Sequence, residues 1–343
     1  MRLILLITAA LLLVPIGPLT AAGHETANGA PNTSVTVKEW TVPWAKSRPR
    51  DPAIGPDGRI WFVGQQGDYV AALDPGTGGF AKIDLAAGTG PHNVIVGDDG
   101  ILWYAGNRGA HIGRIGADWK IRAIAMPDRA ARDPHTLVFD GKGHIWFTVQ
   151  GGNVIGRLAM ASEKIDLLAV PTPAARPYGI AIAPDGMVWV ALFGTHKLAR
   201  IDPATLALSE HPLPRADARP RRIGVTSDGV VWYVDYAGGY LGALDPASGG
   251  IAEWPMPSGA AARPYGMAVD GRDRVWAVET GPAPNLLVGF DPEAKAFFSM
   301  TPIPSGAGAI RHMAYDAKTG RIWFGTDAGT IGTAQVVQVA PAE

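Results

Sequence analysis

Cysteine is absent from the 343 residues, which excludes disulfide staples and thiolate metal sites. Net charge is nearly absent as well. The 30 basic residues are offset by 31 acidic ones, so there is no electrostatic footprint for nucleic acid. Charged residues are scarce at 18% while hydrophobic residues reach 47%, the reverse of a disordered composition. Long apolar runs are missing after Val14, so nothing later in the chain is expected to span a membrane. Turn formers are in excess, with 44 Gly and 29 Pro making up about a fifth of the chain, far above ordinary usage. Many turns imply many short strands. Length alone suggests two domains, but one β-rich domain can run this long.

The N-terminus reads as a secretory signal over residues 1–22. Arg2 precedes an apolar run from Leu3 to Val14, Pro15 and Pro18 break it, and Thr20-Ala21-Ala22 offers small residues for cleavage. The mature protein is expected to be periplasmic or secreted, free of the membrane after cleavage, and monomeric. Residues 23–34 are polar with Gly and Pro, the pattern of a flexible lead-in.

Internal repetition dominates the rest. Trp61, Trp103, Trp146, Trp189, Trp232, Trp276 and Trp323 are spaced by 42, 43, 43, 43, 44 and 47 residues. Each follows a tight turn, as in GPDGRIWF, GDDGILWY and APDGMVWV. A strand such as PHNVIV, PHTLVF or PYGIAI precedes it, and one such as HIGRI, NVIGRL or HKLARI follows. An Asp-Pro turn then leads to a last strand in many repeats. Four short strands repeating at this period predict an all-β, seven-bladed β-propeller of four-stranded blades spanning 35–340 as a single domain. Open sheet edges are a liability, so the ring must close. Val35–Val42 looks like a last strand without its blade, and is predicted to complete the seventh. A Trp recurring once per blade is expected to pack between blades rather than bind a ligand. Arg114, Arg157 and Arg200 recur too, and read as hydrogen bonders at blade edges.

Departures from the repeat point to a site. Eleven residues before each Trp, just after a Pro, stand Arg50, His92, His135, Tyr178, Arg221 and Tyr265. Arg311 fills the slot in the seventh blade, with His312 beside it, one residue further from its Trp. This position begins the innermost strand and should face the channel mouth. Three residues after the Trp, Asp235 and Glu279 stand in blades five and six, and are expected to return to the same face. Arg50, Tyr178, Arg221, Tyr265 and Arg311 are candidate ligand contacts. Positive charge predominates, so an anionic group or a developing oxyanion is the expected guest.

The stretches PHNVIVGDDGILWYAGNRGAHIGRI, DPHTLVFDGKGHIWFTVQGGNVIGRL and IRHMAYDAKTGRIWFGTDAGTIG resemble the virginiamycin B lyase (streptogramin lyase) family. The resemblance covers nearly all of the mature chain. It implies ring opening of a cyclic ester by elimination, assisted by Mg²⁺. It also implies a His in each of two successive blades, one acting as base, and a Glu three after the second Trp that helps hold the metal. His92 and His135 fill those His positions and are the candidate catalytic residues. Val149, followed by Gln150, stands where the Glu would be. Glu279 fills the Glu position of its own blade, but Tyr265 and Arg221 occupy the matching His positions. On this reading Glu279 or Asp235 would supply a metal contact across the channel.

Two functions follow as expectations. One is an exported lyase-like enzyme using His92, His135 and Mg²⁺. The alternative is a non-catalytic binding propeller for an anionic ligand or protein partner. A lactonase-type hydrolase using Asp235, Glu279 and Asn93 ranks below both. No Gly-x-Ser-x-Gly elbow or phosphate loop is present. His24, His196 and His211 read as surface residues in loops.

Overall fold

The computed structural model describes residues 33–338. The signal expected over residues 1–22, His24 and most of the lead-in lie outside the described residues. Within them the chain forms seven four-stranded antiparallel sheets arranged as the blades of a propeller, with a single 3₁₀ turn at Gly259–Ala261. Blade one holds Pro49–Ile54, Ile60–Gly64, Tyr69–Leu73 and Phe80–Asp84, from the channel outward. The next five blades repeat this order, with innermost strands Pro91–Val96, Pro134–Phe139, Pro177–Ile182, Pro220–Val225 and Pro264–Val269. The seventh is composite. Ile310–Asp316, Arg321–Thr326 and Thr330–Gln338 come from the C-terminal end, and Thr33–Thr41 supplies the outermost strand. That strand pairs in continuous register from Thr33 opposite Gln338 to Thr41 opposite Thr330. It thus begins inside what the sequence reads as lead-in. Glu39 ties it to the loop that enters the seventh blade by accepting from the Ser305 N–H at 2.8 Å and hydroxyl at 2.7 Å.

The repeat Trp side chains are all buried, Trp146 and Trp276 with no measurable exposure. Each sits in a different apolar cluster, and each cluster straddles two neighbouring blades. Trp146 packs with Val188 and Val190 of blade four. Trp276 packs with Ile322 and Phe324 of blade seven, and Trp323 closes the circle against Ile60 and Phe62 of blade one. A buried indole removes roughly 150–250 Å² from water, on the order of 4–6 kcal/mol by area, so the blades adhere mainly through these contacts. The aromatic after the Trp needs a flat surface on the next strand. Phe147 lies over Gly156, where an added Cβ would stand 2.1 Å from the ring. The recurring arginines sit beside this seam: Arg157 lies 5.7 Å over the Trp146 ring and donates to Asp166 at 2.9 Å.

One backbone feature positions the site. Every innermost strand begins with a register shift. In blade three Pro134 pairs with Val149, but the next registered pair is Leu137 with Phe147, so two residues on one strand face one on the other. The same bulge recurs in the other blades, for example between Pro177 and Ile180 and between Ile310 and Met313. A bulge re-aims the extra side chain. Here it directs the residue after the Pro into the channel.

Candidate functional site

The seven slot residues converge as one ring at the channel mouth. The His92 and His135 rings are 3.5 Å apart between centroids, and His135 lies 4.2 Å from the Tyr178 ring. The Tyr178 and Tyr265 hydroxyls are hydrogen-bonded to each other. The Arg221 guanidinium covers Tyr265 at 3.7 Å and Tyr236 at 4.4 Å. Arg50 is 4% exposed and donates to Asp51 at 3.1 Å and Gln65 at 3.0 Å. Arg311 is ion-paired with Asp327.

A second ring, one residue further along each strand, plugs the channel beneath. The sequence reading names His312 and Asn93 there but not Asp51, Thr136 or Arg222. Arg222 of blade five crosses the channel, donating to Asp51 of blade one at 3.2 Å, to the Thr136 hydroxyl of blade three at 3.0 Å and to the Arg311 carbonyl of blade seven at 2.7 Å. Asn93 adds a 3.4 Å contact to Asp51, and its side-chain oxygen accepts from the Leu137 N–H at 3.0 Å. Asp51 holds a left-handed backbone with φ of 48°, a conformation that a bulge in a fixed network sustains. Burial pushes its carboxyl up, but Arg50 and Arg222 overcome that and hold it below the carboxylate range. Burial, Arg50 and the neighbouring His135 push His92 well below its ordinary 6.5. Burial with Arg222 and Arg50 does the same to His135, and burial with Arg222 brings His312 down to about 4. All three imidazoles are therefore neutral near pH 7. His92 Nδ1 lies 3.8 Å from Asp51, too far for a hydrogen bond.

The structure brings the slot residues together, but not the two acids. Asp235 pairs with Pro220 and Glu279 with Pro264, so each shares a sheet face with the Pro. Successive residues of a strand point to opposite faces, so the slot residue after the Pro looks the other way. The expectation that the acids share the slot's face misses this one-residue offset. Asp235 accepts from the Arg219 N–H at 2.7 Å, the Ala237 N–H at 3.1 Å and Arg215 at 2.7 Å. Glu279 accepts from the Ser258 N–H at 2.9 Å and from the Ser258 hydroxyl. Both carboxylates anchor the loop that enters their own blade. His211 also differs from its reading: it lies on the strand Leu208–Pro212, its ring 5.1 Å from Trp189.

These donors do not fit Mg²⁺. The ion needs carboxylate and water ligands around an open position. Val149 offers no donor, Asp235 and Glu279 are engaged elsewhere, and Asp51 is flanked by two guanidiniums. Among the described residues no three His, Asp or Glu side chains converge on a common point.

Above the plug lies a cavity of about 750 Å³, within the range of small-molecule sites. Arg48, Arg50, Arg221, Arg263 and Arg311 face it, with Tyr178, Tyr236 and Tyr265, and no carboxylate lines it. Arg48 and Arg311 share Asp327 at the rim, at 3.5 Å from Arg48. Nη2 of Arg50 and Nε of Arg221 are buried without a hydrogen-bond partner. Neither His92 nor His135 lines this cavity. The sequence reading missed Arg48 and Arg263. The signal was an Arg just before the Pro, which recurs at Arg48, Arg176, Arg219 and Arg263.

The sequence profile of the virginiamycin B lyase family matches residues 23–201. This chain belongs to the virginiamycin B lyase family. The match carries His92 and His135 and ends before Arg221, Tyr265 and Arg311. A solved streptogramin B lyase superposes with a TM-score of 0.80 at 23% identity, covering 88% of this chain and 98% of that one. Virginiamycin B lyase from Staphylococcus aureus gives 0.81 at 22% identity, covering 89% and 100%. Hydrazine synthase of Kuenenia stuttgartiensis gives 0.71 at 15% identity, covering 88% and 98%. At these identities the likeness is one of fold. No curated protein sequence matches this chain.

Proposed function

We propose that this virginiamycin B lyase-like propeller binds an anionic small molecule at its channel mouth, held by Arg50, Arg221 and Arg311. One observation carries the reading: five guanidiniums face a single cavity that no carboxylate lines, and two of their buried nitrogens have no partner. A buried guanidinium N–H left without an acceptor is costly, and a carboxylate or sulfate group offers the planar or multidentate acceptor that relieves it. The phenols and the face of Tyr236 give an amphiphilic wall for the rest of such a ligand.

Elimination on a cyclic ester is the second reading, favoured by the contact between His92 and His135. It ranks below because the Glu of the family pattern is Val149 and neither imidazole lines the cavity. Export is inferred from residues 1–22, and a cell-fractionation blot showing the protein only in the cytoplasm would refute it.

The test is isothermal calorimetry of the mature protein with citrate, sulfate and galacturonate at low salt. Binding is expected for at least one of them, and to collapse at about 1 M salt, where screening acts over about 3 Å. Arg221→Ala should weaken it about 10- to 150-fold, the loss of one charge-assisted hydrogen bond. Equal affinity for wild type and Arg221→Ala would sink the reading. A type B streptogramin incubated with and without chelator, followed by mass spectrometry, decides the second. A linear product of unchanged mass, formed only with Mg²⁺, would restore it.

A further inference from the structure

Tyr178 lines the cavity proposed to hold the anion. The charged and titratable groups facing it come from four blades. Arg50 stands on blade one, His135 on blade three, Arg221 and Arg222 on blade five and Tyr265 on blade six, while Asp51 lies behind Arg50 and Arg222. The Arg221 and Arg222 guanidiniums lie 5.1 and 5.2 Å from its ring centre. Its hydroxyl meets that of Tyr265, which also lines the cavity. Two phenols in hydrogen-bond contact under three guanidiniums form a pair that stabilises one negative charge. Burial raises the Tyr178 phenol, but Arg222, Arg221 and Arg50 reverse this and hold it below its ordinary 10.0. Burial and the adjacent Tyr178 push Tyr265 up. When the pair loses a proton, Tyr178 is therefore the phenol that carries the charge, and the Tyr265 O–H is placed to donate to it.

We propose that Tyr178 is a catalytic base for β-elimination on a carboxylate held in this cavity, with Tyr265 as the acid. The inference rests on the anion-binding reading above. An arginine-bound carboxylate has its charge neutralised, which acidifies the hydrogen on the adjacent carbon. Tyr178 Oη takes that proton as the C–H bond breaks. Its electron pair becomes the new C=C bond while the β C–O bond breaks and its electrons leave with the oxygen. The Tyr265 O–H gives its proton to that oxygen, releasing an alcohol. Tyr178–OH then passes its proton across the shared hydrogen bond to Tyr265, and the pair is restored. Atoms and charge balance within substrate and the two phenols. The substrate class is a carboxylate with a β-alkoxy group, as in a uronic acid polymer.

Two measurements test this on the mature protein. The first needs no ligand: ultraviolet difference titration of tyrosinate. Wild type is expected to show one phenol ionising below the ordinary range. Tyr178→Phe should remove it, and Tyr265→Phe should shift it upward by deleting its donor. A wild-type curve with no early phenol overturns the inference. The second uses oligogalacturonate in D₂O, read by NMR for deuterium at the carbon beside the carboxylate and for the unsaturated product. Tyr178→Phe should slow exchange at least about 100-fold while calorimetric affinity for the probe stays within about threefold, the signature of a lost proton acceptor. Binding with neither exchange nor unsaturated product in wild type refutes the base and spares the anion site. Absence of binding by citrate, sulfate and oligogalacturonate alike refutes the anion site itself.

Discussion

Removing the charge of Asp51 should loosen the whole channel. This carboxylate is fully buried and is the only acid in contact with Arg50 and Arg222 among the described residues. Asp51→Asn is the cleanest perturbation, because Asn tolerates the left-handed backbone that Asp51 holds. It keeps one acceptor oxygen and deletes the charge. Arg50 retains Gln65, and Arg222 retains Thr136 and the Arg311 carbonyl, so neither guanidinium is stripped of all its hydrogen bonds. Breaking a buried ion pair by one partner costs about 3–5 kcal/mol. These residual bonds put the cost at the lower end, about 3 kcal/mol. Over about 300 described residues the unfolding entropy is roughly 0.6 kcal/mol/K, so Tm should fall by about 5 °C in calorimetric scans. The double variant Asp51→Asn/Arg222→Met should lose less than the two single losses added, with a coupling of about 1 kcal/mol or more. The pH dependence follows by linkage. Asp51 has a folded pKa below its ordinary 3.8, so its contribution is present above that value and vanishes as pH falls through the lower, folded one. The variant should lack that acid limb. A Tm within about 1 °C of wild type, or strict additivity in the double variant, would refute the buried-pair argument.

Other outcomes follow from the same geometry. Trp146→Ala should cost about 3–5 kcal/mol in urea unfolding, since the indole fills the seam between blades three and four; a loss below about 1 kcal/mol would contradict the packing. His312 has its folded pKa at about 4 against an ordinary 6.5, so acidification between these values should remove up to about 3 kcal/mol as the unfolded chain takes the proton first. His312→Asn should flatten that limb, and an unchanged slope would place the titration elsewhere. Glu279→Gln should cost about 1–3 kcal/mol by loosening the Ser258 loop and leave anion affinity unchanged by calorimetry; lost anion binding would bring this carboxylate back into the site. Deleting residues up to Thr41 should broaden thermal unfolding, because the pairing that ties the N-terminal segment to the C-terminal strands of the seventh blade is lost; an undiminished, sharp transition would deny the strand its closing role.

The fold was written in the sequence because repetition is a local signal. One Trp per repeat, a turn before it and Pro ahead of each innermost strand recur often enough to count blades. Each repeat buries its apolar face only against the next, so the ring follows from the count. The slot residues from Arg50 to Arg311 were legible for the same reason: in a regular frame, an irregular side chain stands out. The acids were misplaced because face depends on register, and register depends on a bulge that leaves no mark in the residue pattern. Asp235 and Glu279 count to the right distance from the Trp and still face away. The Asp51–Arg222 plug and the partners Tyr178 and Tyr265 join residues 171 and 87 positions apart. No local rule relates such residues, and only closure of the ring brings their blades to one axis. The sequence determined how many blades there are and which strand end carries chemistry. Tertiary structure decided which side chains share the cavity, because it sets distance and desolvation, and these govern charge.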